Sequence, residues 1–217
     1  MSPDTDLSPV LPSMVDPAAG DPRFADPRTV TLRVPPGQPL WVFAYGSLMW
    51  NPGFDFMERR PALLRGYHRR FCVYSHRYRG TPERPGLVLG LDRGGSCRGF
   101  AFKAGPEGMD RTLAYLWDRE MVTGVYRPSL LRIELPDGQG GIERQPACCF
   151  VVDRKHRQYC GRLDIDRTAA MIGNGVGKNG PNPDYLFNTV EHLEEMGVHD
   201  RALVQLAERV RAVTTAG

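Results

Sequence analysis

From residue 41 onward the chain carries apolar residues in short, regularly interrupted runs; before it there is no such periodicity. Runs at 41–45 (WVFAY), 63–75 (LLRGYHRRFCVYS), 87–92 (LVLGLD), 97–104 (CRGFAFKA), 130–135 (LLRIEL) and 147–153 (ACCFVVD) predict strands, and the alternation in several of them implies one buried face. Patterns with a period near 3.6 predict helices at 106–120, around 165–172, at 183–196 and at 199–213, each bounded by Pro, Gly or Asp. Strands that are mostly consecutive and then followed by helices argue for an α+β fold with a strongly curved sheet or small barrel, not a doubly wound sheet. Residues 1–40 hold nine of the 19 prolines and five Asp, which predicts an extended or disordered arm ahead of one domain spanning 41–217.

The first apolar run raises a question of its own. Trp41, Val42 and Phe43 are good strand formers, yet the run breaks at Ala44-Tyr45-Gly46-Ser47 before apolar residues return at Leu48 and Met49. A glycine inside an apolar run marks a bulge or a place where backbone comes close to something else, so this stretch is a candidate for presenting its own amides to a ligand.

Composition narrows the function classes. At 217 residues, 41% hydrophobic and 24% charged, the chain suits one globular domain that needs no disulfide or metal staples. Net charge is only +3 and the basic residues are dispersed, so neither a nucleic-acid nor a membrane footprint stands out. Five cysteines, Cys72, Cys97, Cys148, Cys149 and Cys160, form no disulfide-scaffold spacing and suit a reducing compartment. With no signal-peptide pattern and no apolar run near the ~20 residues of a membrane span, a cytoplasmic protein is expected.

Among candidates for chemistry, the helical run 106–120 places Met109, Leu113 and Leu116 on one stripe, and four residues further on the same face lies Glu120. Asp118 points about half a turn away, at ~100° per residue, so only Glu120 faces inward. A buried carboxylate at a helix C-terminus holds its proton more tightly than usual, which suits a general base. The alternative is a structural ion pair with Arg119 or Arg127. GVGKNG at 175–180 has the glycine spacing of a dinucleotide loop without the preceding strand, and is read instead as a flexible loop that lines or covers a pocket. Ser47 lacks the second glycine of a nucleophile elbow. Cys148, Cys149, His156 and Cys160 lack paired zinc-ligand spacing, and the first two read as core residues.

Four stretches in order, VFAYGSLMW, YRGTPERPGLVLGLD, DREMVTGVYRP and GPNPDYLFNTVEHLEEMGVHD, resemble the ChaC family of γ-glutamylcyclotransferases, which is similar to the wider AIG2/BtrG-like fold. The resemblance spans about 41–207. It implies a small mixed β-barrel-like sheet flanked by helices, a cofactor-free lyase without a metal, and glutathione as substrate, cleaved to 5-oxoproline and cysteinylglycine. It also implies that Glu120 is the acid/base and that Tyr45-Gly46-Ser47-Leu48, with Val42, Phe43 and Ala44 leading into it, holds the γ-glutamyl group. Ala44 departs from the glycine of many relatives. Tyr185, Tyr126 and Arg70 are further candidates for substrate contacts, against readings as a core aromatic, a loop packing residue and a solvated strand position. Another γ-glutamyl amide as substrate, or a non-catalytic binding protein on the same fold, are the competing functions; the presence of Glu120 counts against the second.

Overall fold

The computed structural model describes residues 37–215; of the predicted arm 1–40, all but its last four positions lie outside them. The chain opens with β1 (Leu40–Ala44), followed by β2 (Glu58–Ser75) and β3 (Gly86–Ala104). Helix α1 (Met109–Glu120) then precedes β4 (Tyr126–Pro136) and β5 (Ile142–Val152). Next come α2 (Ile165–Asn174), a two-stranded hairpin of β6 (Val176–Gly177) and β7 (Gly180–Pro181), α3 (Asn182–Glu195) and α4 (Arg201–Thr215). The first five strands close a barrel in the order β1-β3-β2-β4-β5. The pairs are antiparallel except those of β5 with β1, where Trp41 pairs with Ala147 and Val42 with Cys148, and of β5 with β3, where Leu91 pairs with Val151, which are parallel. The fold is therefore α+β around a small mixed barrel, as the strand-then-helix pattern implied.

Closure explains the hydrophobic pattern. β1 lies between β3 and β5 and is buried along its whole length, which is why it reads as a continuous apolar run and not an alternating one. Val42, Phe43, Leu64, Leu91, Phe102 and Ile133 fill the interior. Cys148 and Cys149 are fully buried in β5 and belong to this core. The helices pack outside, α2 against α4 and α3 against both. Among the described residues no helix is long and apolar enough to cross a membrane.

One sequence expectation is corrected here. The runs 87–92 and 97–104 are a single strand, β3, and the intervening Arg93-Gly94-Gly95-Ser96 is not a turn. Gly94 and Gly95 adopt φ of 106° and 68°, and Gly66 on the facing β2 adopts 81°. The pairing slips there, from Arg65 with Ser96 to Tyr67 with Arg93. Left-handed glycines thus make a bulge that bends two long strands without ending either, the bending that a narrow barrel requires.

Asn182 fastens the helices to the barrel. Fully buried at the start of α3, it accepts from the Leu87 amide at 2.7 Å and donates to the Leu87 carbonyl at 2.8 Å. Asn182→Leu leaves both backbone groups without a partner, at a cost of about 2–5 kcal/mol, to be read from urea unfolding with an unchanged m-value.

Candidate active site

The break in β1 is held from two sides. Below it, Arg69 on β2 is buried and donates to the Tyr45 carbonyl at 2.6 Å and to the Arg98 carbonyl, while its Nε pairs at 3.2 Å with Asp200, just ahead of α4. The chain then turns through one 3-10 turn, Ser47–Met49, closed by Met49 N–H to the Gly46 carbonyl at 2.8 Å. No side chain caps the leading end of that turn. At Gly46 a Cβ would meet Leu89 at 3.5 Å and the Tyr185 hydroxyl at 3.9 Å. The glycine therefore leaves open the space between these groups, and a branched side chain would fill it.

Above the turn sits the end of α1. Arg119 donates from Nη2 to Ser47 Oγ at 2.9 Å and from Nη1 to both the Asn51 carbonyl and the Tyr115 hydroxyl at 2.7 Å. Its Nε lies 3.3 Å from Glu120 Oε1. So the ion pair that competed with a catalytic reading of Glu120 exists with Arg119, whereas Arg127 pairs with Asp153 at 2.6 Å. The pair does not withdraw Glu120 from use. Its side chain keeps 17% of its surface accessible and lines a cavity of about 590 Å³, a size suited to a small molecule. Burial raises the Glu120 carboxyl above the usual glutamate range, and the neighbouring Arg119 charge offsets part of that rise. Asp118, also on the cavity rim, is exposed, as the helical period predicted.

The remaining wall is aromatic. Tyr45 donates to the Phe150 carbonyl at 3.0 Å and Tyr126 to the Leu89 carbonyl at 2.6 Å, while Tyr185 packs edge-on against Phe71. Burial pushes the Tyr185 phenol up to about 12 and the other two well above their ordinary value. All three hydroxyls stay protonated at neutral pH, and all three feel the charge of Glu120.

Of the residues singled out in the sequence, Tyr45, Gly46, Ser47, Leu48, Glu120, Tyr126 and Tyr185 line this one cavity. Val42, Phe43 and Ala44 do not; they are buried in the barrel wall. Arg70 is also elsewhere, donating to the Gly161 carbonyl at 2.7 Å and facing Asp92 at 3.5 Å. Side chains alternate along a strand, so its neighbour Arg69 reaches the loop instead. The glycine-rich run 175–180 forms the β6–β7 hairpin, with Asn179 on the cavity wall. Arg119, Arg79 and Asn179 were not named as site residues from the sequence, because the acceptors that orient the two arginines come from distant segments. Among the described residues no three His, Cys, Asp or Glu side chains are grouped to hold a metal ion.

A family model described as ChaC-like protein matches residues 40–213. The chain belongs to the ChaC-like family. It is 36% identical over 173 residues to the glutathione-specific gamma-glutamylcyclotransferase of Escherichia coli (strain K12), covering 80% of this chain and 73% of the relative. It is 34% identical over 184 residues to gamma-glutamylcyclotransferase 2-3 of Arabidopsis thaliana, covering 80% and 89%. A crystal structure of a yeast cyclotransferase described as specific to glutathione superposes with a TM-score of 0.73 at 21% identity, over 82% of this chain and the whole of the other, and shows the same fold.

A stability test follows from the carboxylate's position. A carboxyl whose folded pKa is raised holds its proton more tightly folded than unfolded, so ionising it costs stability as pH rises through and above the ordinary glutamate range. Glu120→Gln removes that cost. The difference in Tm, variant minus wild type, should be more positive at pH 8 than at pH 4, measured by calorimetry at both.

Proposed function

We propose that this member of the ChaC-like family is a γ-glutamylcyclotransferase acting on glutathione, with Glu120 as its general acid/base. The observation that carries the reading is an inward carboxylate of raised proton affinity, tied through Arg119 to an uncapped backbone turn across a cavity of small-molecule size. The names of the relatives supply the substrate.

In the reaction the substrate is its own nucleophile. Glu120 takes a proton from the α-ammonium of the γ-glutamyl group, and the freed amine attacks the γ-carbonyl carbon. Amides of the Gly46–Leu48 turn face the oxyanion that forms. Collapse breaks the bond to the cysteinyl nitrogen, which takes the proton back from Glu120, and the second proton of the ring nitrogen passes by the same carboxylate to the departing amine, leaving neutral 5-oxoproline and cysteinylglycine as its ammonium. No electron is transferred to or from the substrate, and both protons return, so the balance requires no co-reactant. Holding amine and carbonyl in contact contributes on the order of 7–11 kcal/mol, the larger part of the enzyme's task. The two-way proton transfer suits one carboxylate with an elevated pKa. All five cysteines are free thiols, and we place the enzyme in the reducing cytoplasm.

Incubation of the purified protein with glutathione should release 5-oxoproline and cysteinylglycine in equal amounts. Glu120→Gln should lower kcat by about 10²–10⁴-fold with little change in binding, while Asp118→Asn stays within a few-fold of wild type. Equal losses from the two changes would sink the assignment.

The same assignment fixes a pH dependence. The working form of Glu120 is ionised, so kcat/KM must fall as pH drops through its raised pKa. Arg119 lowers that pKa, so Arg119→Met moves the acid limb to higher pH. A limb that stays in place in Arg119→Met would separate it from Glu120.

A further inference from the structure

Two cations line the cavity, and they differ in how far the protein uses them. Arg119 is committed, with four acceptors from Ser47, Asn51, Tyr115 and Glu120. Arg79, half-buried in the segment between β2 and β3, spends only Nη1, which donates to the carbonyls of Asn179 at 2.7 Å and Pro181 at 3.0 Å. Its Nε and Nη2 have no acceptor among the described residues. That free edge presents parallel N–H groups, the geometry that a carboxylate accepts in a paired contact.

The guanidinium is also fixed in place. Its carbon lies 5.4 Å from the centroid of the Tyr185 ring, and its own backbone amide donates to Ser75 Oγ at 3.0 Å. The segment that carries it is laced to the β6–β7 hairpin: Lys178 N–H reaches the Arg77 carbonyl at 2.8 Å and Asn179 N–H the Tyr78 carbonyl at 2.9 Å. A Cβ on Gly177 would come within 2.6 Å of the Arg79 amide, so only glycine allows this approach. Arg119 and Glu120 line the same cavity, at the part where the proposed mechanism has the γ-glutamyl group react. Tyr185 stands between, its hydroxyl beside Gly46 and its ring beneath Arg79.

Resting on the function proposed above, we infer that Arg79 is the receptor for the free C-terminal carboxylate of the leaving group, so that the cavity selects γ-glutamyl amides whose amine half is a peptide ending in a carboxylate. The γ-glutamyl group brings one carboxylate to the Ser47 turn, and a peptide leaving group carries a second at its far end. Arg79 is the cation left uncompensated to meet it. The competing acid on the rim, Asp118, belongs to α1.

The test pairs an enzyme change with a substrate change. Glutathione and its C-terminal amide, which differ only in that distal charge, are compared as substrates of wild type, Arg79→Gln and Arg79→Lys, with 5-oxoproline as readout. Wild type should turn over the amide with kcat/KM lower by on the order of 10–100-fold, mainly through KM. In Arg79→Gln the preference should shrink to about two-fold, because glutathione loses and the amide does not. Arg79→Lys keeps a charge without the paired edge and should fall between; it carries the comparison if Arg79→Gln melts at much lower temperature. Equal treatment of both substrates by wild type overturns the inference, as does an equal loss on both in the variants, which would make Arg79 a brace for the hairpin. Release of 5-oxoproline from neither substrate by wild type overturns the parent reading and this one with it.

Discussion

The site depends on one guanidinium. Arg119 joins the end of α1 to the turn that follows β1, touching Ser47, Asn51, Tyr115 and Glu120 together. Each charge-assisted bond contributes more than a neutral one, on the order of 1.5–3 kcal/mol, but its consequence is geometric. It holds the Glu120 carboxylate beside the turn that carries Ser47. The same charge also opposes the effect of burial on Glu120. Arg119 therefore bears on both the position and the proton affinity of Glu120, the second in opposition to burial.

That coupling bears on the two readings that the helix face alone left open. An ion pair and a catalytic carboxylate are usually alternatives, since a fully satisfied carboxylate is ionised and unreactive. Here Arg119 contacts one oxygen of Glu120, and the rest of the carboxyl remains on the cavity wall. Desolvation still outweighs the Arg119 charge, so the carboxyl keeps a raised proton affinity, which is what the proposed two-way proton transfer calls for. The three buried phenols around it stay neutral, so they add hydrogen-bonding capacity without adding charge.

How much of this was readable in one dimension depends on the kind of constraint. Glu120 was legible because a helix has one period, and continuing the Met109, Leu113, Leu116 stripe leaves no other face for it. The strands were less so. Gly94-Gly95 carries the composition of a turn, and only pairing with Gly66 across the sheet makes it a bulge, so one long strand reads as two. Arg69 and Arg70 are adjacent, and register slips flank them between Arg65 and Tyr67 and between Phe71 and Val73. Which arginine faces the loop then cannot be counted from either end of the run. Arg119 and Arg79 also reach acceptors 68 to 102 residues away, which no local pattern encodes.

On the proposed mechanism, the arrangement also accounts for a carboxylate doing the work that a serine does in other amide-cleaving sites. Ser47 sits in the right place for a nucleophile, yet its Oγ accepts from the Arg119 cation, and the cavity lining contains no histidine to remove its proton. A hydroxyl that is hydrogen-bonded to a guanidinium is a poorer nucleophile, and here it works as an anchor. The substrate's own amine replaces it, with effective molarities in such ring closures of about 10⁵–10⁸ M. Water cannot compete with a nucleophile tethered at that concentration, so the cavity has no need to close over its substrate. On the proposed mechanism, a rim bearing Arg79 and Asn179 is then free to read the amine half, while the chemistry stays at the base of the turn between Gly46 and Glu120.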